Sequence, residues 1–381
     1  MKLIIIISIL LSIFLHASNV DWSANIRFRY RNDTSNDIED GVYSSLSEAR
    51  SRLGLRILGK NASANFVLQD SRIFGERSPS ENKVFFNQAY IHFRIKRNLI
   101  QLGRFELPLG KQRLIAKRNW NNTGLSFDGF LIKRRTNLWQ FTFLNLVINE
   151  NINLYHDNNF DTRLRGGYLT LNQKLFSRVL ASELYLFNYR DNISIYNLKP
   201  LLSGGIRLEL YLIGPISYEG ELALQTGENI SSYMISANIF LKRKEKRFFN
   251  KVSIGFEYIT GNDSTKLSNN AFSKLFGSSH KYHGFYDYAL HKNFTDHEHR
   301  GLIEFNIKGK TNFLLNTNLL ISYHSFYSQV SEDHYGNELD FFLIKTLSDE
   351  INFSAGLSFY KPALENKILF LNYLIITVNL P

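Results

Sequence analysis

The chain has 381 residues, no Cys and a net charge of +11, with 31 Phe and 20 Tyr. The missing Cys excludes disulfides and thiolate metal sites. Only 6 Pro occur and none cluster, so nothing marks a linker and the length reads as one domain. The basic excess suits nucleic acid, an anionic membrane surface or an anionic solute, and only the positions of the charges can choose among them.

Lys2 and the apolar run Leu3–Leu15, followed by His16-Ala17-Ser18, read as a secretory signal peptide over residues 1–18. The run is shorter than the roughly 20 residues of a spanning helix. An exported chain does not meet nucleic acid, which leaves membrane and solute anions. Residues 19–381 then form the mature domain.

From there the pattern is alternation with period two, the signature of strands whose faces meet different surroundings. Ala24, Ile26, Phe28 and Tyr30 alternate with Asn25, Arg27, Arg29 and Arg31. Ala49, Leu53, Leu55 and Ile57 oppose Arg50, Arg52 and Arg56. Ala62, Ala64, Phe66 and Leu68 follow the same rule, as do Ile91, Phe93 and Ile95 against His92 and Arg94. Later runs set Ile206, Leu208 and Leu210 against Arg207 and Glu209, and Leu222 and Leu224 against Glu219 and Glu221. Ile254, Phe256 and Tyr258 oppose Ser253 and Glu257, and Leu357 and Phe359 oppose Ser358. Leu138–Val147 and Ser232–Leu241 alternate poorly, and Ile368–Leu380 is apolar on both faces. The runs amount to roughly 18 strands, or about 16 if the blurred ones are dropped.

Connection lengths alternate as well. Long polar segments (Asn32–Ser47, Asp70–Lys83, Arg104–Ser126, Asn149–Thr162 and Gly261–Arg300) are interleaved with short ones such as Gly59–Asn61, Arg97-Asn98, Gly214-Pro215, Lys308–Asn312 and Ser348–Glu350. An all-β, antiparallel transmembrane barrel with short periplasmic turns and long external loops has this asymmetry. An Arg facing lipid at mid-membrane costs about 2–4 kcal/mol. Arg27, Arg29, Arg31, Arg50, Arg52, Arg56, Arg94, Arg163 and Arg165 are therefore expected to line the lumen, where guanidinium groups attract carboxylate or phosphate. Glu209, Glu219, Glu221 and Glu257 are the candidate partners that would neutralise such a wall.

Several segments add a resemblance. They are Leu68-Gln69-Asp70-Ser71-Arg72, Gly103-Arg104 with Gly110 and Arg113, Gly124–Gly129 with Phe127-Asp128-Gly129, Lys274–Gly277 with His280–Tyr288, and Gly336–Asp340 with Ala355-Gly356-Leu357. In order and spacing the chain resembles the alginate export family of outer-membrane porins. The resemblance implies a monomeric barrel of about 18 strands with a basic lumen, carrying an anionic polysaccharide such as alginate. It adds Asp70, Arg72, Arg104, Arg113 and Asp128 to the expected pore-lining, substrate-binding set. Phe105, where the family often has Gln, and the terminal Pro381 depart from the pattern.

The implied partners are outer-membrane lipid and lipopolysaccharide around the barrel, an anionic solute or polysaccharide inside it, and a periplasmic secretion complex, in a Gram-negative outer membrane. No cofactor and no catalytic residue is implied: the chain has no nucleophile elbow, phosphate-binding Gly loop or HExxH. An outer-membrane enzyme with a rim site, and an adhesin that binds through Gly261–Arg300, remain as other readings. His280, His283 and Asp296-His297-Glu298-His299 in that loop are of metal-ligand type, but loop spacing defines no site. Lys242–Arg247 reads as a solvated periplasmic turn.

Overall fold

A strand with one apolar and one polar face is stable in a bilayer only if its backbone groups pair and the sheet closes, because an open edge would leave amides unsatisfied in hydrocarbon. The chain meets this condition. The computed structural model describes residues 19–34, 44–75, 83–149, 161–171, 178–191, 200–242, 249–263, 265, 270–278, 280–286, 300–313 and 317–381. The strands are β1 (Val20–Asp33), β2 (Ser44–Leu58), β3 (Ala62–Ile73), β4 (Lys83–Ile95), β5 (Asn98–Phe105) and β6 (Phe127–Arg135). Next come β7 (Trp139–Asn149), β8 (Thr162–Leu171), β9 (Val179–Arg190), β10 (Leu201–Tyr211), β11 (Ile216–Gly227) and β12 (Ile230–Lys242). The last are β13 (Lys251–Ile259), β14 (Leu302–Phe313), β15 (Thr317–Tyr327), β16 (His334–Thr346), β17 (Ile351–Pro362) and β18 (Leu369–Leu380).

Each strand pairs antiparallel with its sequence neighbours, and β1 closes the 18-stranded sheet by pairing with both β2 and β18. The outer wall exposes Phe28, Leu53, Ile91, Phe143, Leu186, Ile254, Phe305 and Leu374. So continuous an apolar surface is lipid-facing rather than water-facing.

The start of β1 and the end of β18 lie at one rim, with the short connections 59–61, 96–97, 136–138, 212–215, 314–316 and 347–350. The opposite rim carries 34–43, 106–126 and 260–301. Length does not sort the two rims cleanly: 328–333 and 363–368 at the long-loop rim are shorter than 172–178 and 243–250 at the other, and 228–229 is a two-residue turn at the long-loop rim, with Asn229 at φ 57°. The turn expected at Lys308–Asn312 is instead strand: β14 runs on to Phe313, and Lys308 and Lys310 line the lumen within it. Residues 1–18, Arg243–Arg247 and Asp296–His299 lie outside the described residues.

The runs with poor alternation are strands too, as β7, β12 and β18. Their inner faces carry apolar side chains, most completely in β18 and beside inward Thr142, Ser232 and Ser236 in β7 and β12, for a physical reason. Leu144, Leu146, Met234, Leu371 and Tyr373 join one buried cluster with Leu107, Leu114, Ile115, Phe272 and Tyr286. These last residues belong to connections that fold into the barrel, so the wall beneath them needs no polar face.

Candidate functional site

Two long-rim connections turn inward. Within residues 106–126, Gly110 sits at φ 52°, and a side chain there would strike the Tyr168 hydroxyl and the Glu183 carboxylate. This segment and residues 270–286 hold one another through backbone bonds: Phe276 N donates to Leu114 O at 2.9 Å, Ala116 N to Phe276 O at 3.1 Å and Ser278 N to Gln112 O at 3.0 Å. Arg118 adds Nε to Gly277 O at 3.0 Å. Trp120 packs against Tyr373 with ring centroids 5.0 Å apart, and Phe127 against Phe276 at 5.5 Å. The result is a plug crossing the lumen between opposite walls.

Most of the early arginines expected to form an anion track hold this plug instead. Arg27 Nη1 donates to Asn119 O at 2.8 Å, Arg29 Nη1 to Trp120 O at 2.7 Å and Arg50 Nη1 to Asn119 Oδ1 at 2.9 Å. Arg29 also binds Glu48 at 2.7 Å and lies over the Trp120 ring at 5.0 Å. Arg52 pairs with Glu106 at 3.1 Å and donates to Gln69 at 2.6 Å. Arg27, Arg29 and Arg50 are buried, so they face inward as expected but are occupied. Arg31, Arg56 and Arg94 also point inward and are exposed.

The opposite wall is acidic, and loop cations neutralise it. Arg113 pairs with Glu257, donates to Ser236 Oγ at 2.6 Å, lies 3.4 Å from Glu221 and stacks over Tyr282 at 3.9 Å. Burial opposes its charge, but Glu257 and Glu221 outweigh this and hold its pKa above the usual guanidinium value. Lys111 reaches Glu219 at 3.2 Å and Glu209 at 3.4 Å. His283 is buried between Lys274 and Glu304, and Glu304 also accepts from His324 at 2.7 Å. Among the described residues, no cluster of metal-ligand type has the arrangement to hold an ion. Glu338 Oε1 accepts from the backbone of Phe285 at 2.7 Å and Tyr286 at 2.8 Å, beside Gly284 at φ 86°.

Six expected pore residues face outward instead. Register places Asp70 opposite Ser51 and Arg72 opposite Ala49, on the lipid side, while Gln69 and Ser71 hold the inner face. Arg104 pairs across the sheet with Asp128, at 3.3 Å, beside outward Leu102 and Phe130. Arg163 binds Asp161, and Arg165 donates to Asn145 at 3.0 Å, on the face of Phe141 and Phe143. They are tolerable there because they sit near the long-loop rim, where an outward cation costs about 0–1 kcal/mol against about 2–4 at the midplane. The midplane cost does not apply at that height, and period-two alternation carries no information about height.

Sequence reasoning missed a cluster of lysines below the plug. On its short-turn side a cavity of about 260 Å³ is lined by Lys111, Lys251, Lys281, Lys308 and Lys310, with Glu219, Phe240 and Tyr282. Lys308 donates to Tyr282 O at 2.8 Å. The signal was present: Lys251 opposes Lys310, and Lys308 opposes Ser253, in inward register.

A model of the alginate export family matches residues 18–348. No curated protein matches the chain by sequence. Among solved structures, OpdK of Pseudomonas aeruginosa with vanillate superposes at TM-score 0.68 and 11% identity, over 95% of this chain and 98% of that one. OccAB4 of Acinetobacter baumannii gives 0.66 and 10%, over 96% and 99%. OccK11 of Pseudomonas aeruginosa gives 0.65 and 13%, over 95% and 96%. At such identities the likeness is one of fold.

Proposed function

The chain belongs to the alginate export family, a barrel channel of the Gram-negative outer membrane, and from that membership we propose that it passes anionic, carboxylate-bearing solutes, with an anionic polysaccharide such as alginate as the extended case. Residues 1–18 serve as its export signal. The observation that carries the reading is the lysine-lined cavity beneath the plug. This cavity is lined by five lysines and one carboxylate, Glu219, and the neighbouring Glu209 also reaches Lys111, so cations outnumber the carboxylates around it. A low-dielectric wall focuses such a field and raises the local concentration of anions. Passage is passive, so any export drive comes from synthesis or from a periplasmic complex.

Single channels in a planar bilayer under a salt gradient test this. The reversal potential is expected to indicate anion preference, and Lys251→Glu with Lys310→Glu to shift it toward cations. Oligouronates added on the short-turn side are expected to block the current, and to do so less in that variant. Cation preference in the unaltered protein would overturn the proposal.

A further inference from the structure

The outer wall changes character at one level on five neighbouring strands. Toward the long-loop rim, β5 presents Arg104 above Leu102, β6 presents Asp128 above Phe130, and β7 presents Asn145 above Phe143. On β8, Arg163 and Arg165 stand above Leu169, and on β9, Asn188 and Arg190 stand above Leu186. Register puts them in one row: Arg104 opposes Asp128, Asp128 opposes Val147, Val147 opposes Arg163, and Arg163 opposes Arg190. Elsewhere on the outer wall, exposed tyrosines such as Tyr30, Tyr233 and Tyr323 stand near this rim, the usual aromatic belt of a membrane interface.

Arginine is an odd choice for a plain interface. Its exposed ion pair with Asp128, where the two side chains are 44% and 54% exposed, adds little stability. The arginines outnumber the carboxylates in the row, and Arg104, Arg163 and Arg165 each have more donors than their bonds to Asp128, Asp161 and Asn145 use. An anion meeting all of them must sit where the apolar band ends, in the headgroup layer of the outer leaflet. Planar guanidinium forks match phosphate. We propose that this row on β5–β9 binds the phosphate groups of lipopolysaccharide, seating one glycolipid with its acyl chains on Leu102, Phe130, Phe143 and Leu186. The site is independent of the lumen and of what the channel carries.

Native mass spectrometry of the full barrel in detergent, titrated with bisphosphorylated lipid A, reads it directly. The unaltered protein is expected to retain the lipid, and to lose it when dephosphorylated lipid A is used. Arg104→Gln with Arg163→Gln and Arg165→Gln is expected to weaken retention at least about tenfold, since each charge-assisted bond to phosphate is worth roughly that factor. Single-channel conductance of this variant should stay unchanged, because these side chains point away from the lumen. Should the triple variant fail to fold, Arg165→Gln alone serves, because glutamine can still meet Asn145; it is expected to weaken retention by a smaller factor. Equal retention of both lipids, or unaltered retention by every folded variant, would overturn the proposal.

Discussion

Arg113 joins the plug to the wall through a network that includes two carboxylates, a hydroxyl and an aromatic face. Removing one partner of a buried ion pair leaves the other charge stranded, at a cost of about 3–5 kcal/mol. Arg113→Ala removes the cation that Glu221 and Glu257 share, leaving the first with the Tyr185 hydroxyl and the second with His283, and the two carboxylates then repel each other. The loop is then expected to leave the wall, giving a larger and noisier single-channel conductance while the barrel stays intact. Arg113→Lys keeps the charge but loses the fork, and an intermediate conductance is expected. Unchanged conductance in both variants would remove Arg113 from the closure. Gly284 tests the other loop. At φ 86° a β-branched side chain is strained, and its Cβ would meet the Glu338 carboxylate. Gly284→Val is therefore expected to undock residues 280–286, detected as new protease cleavage in that segment.

At the scale of elements, strands and inward loops have separate causes. The strands follow from alternation and pair in an unbroken ring that does not use the loops. The plug follows from long-range contacts, such as Arg27 with Asn119 and Gln225 with Ser273 O at 2.7 Å. Replacing residues 108–124 by a short Gly/Ser linker is thus expected to raise conductance several-fold and preserve the heat-modifiable mobility of a folded barrel. An unfolded product would mean that the plug is part of the barrel's folding core. The same division explains what was legible beforehand. The cost of an arginine in lipid set the inward face of Arg27, Arg29 and Arg50, and period-two alternation reported the strands directly. It failed at β7, β12 and β18, where inward apolar residues such as Leu144, Met234 and Tyr373 answer to loops distant in sequence. It could not reveal that the arginines are consumed by Asn119 and Trp120, because that pairing spans some 70 to 90 residues. Arg163 and Arg165 were misplaced because alternation fixes which residues share a face, and here height rather than charge decides which face tolerates them.

For the whole molecule, strand parity is a stronger guide to sidedness than loop length. The start of β1, the end of β18, the 59–61 turn and the lysine cavity all lie on one side of the plug, and the 228–229 turn lies on the other although it is as tight as any periplasmic turn. Length alone would assign it to the periplasm, whereas counting strands from the N-terminus places it outside. The sequence contains no Cys, so a single introduced thiol reports without background. In intact cells, Asn229→Cys is expected to react with a maleimide too large to enter the barrel, and Lys60→Cys to react only after the outer membrane is permeabilised. This outcome puts the lysine cavity on the periplasmic side, so that an anion arriving from within meets the basic chamber before the plug. The reverse labelling would invert the barrel: the chamber would then collect anions from outside, and the Arg104–Arg190 row would face inner-leaflet lipid instead of lipopolysaccharide.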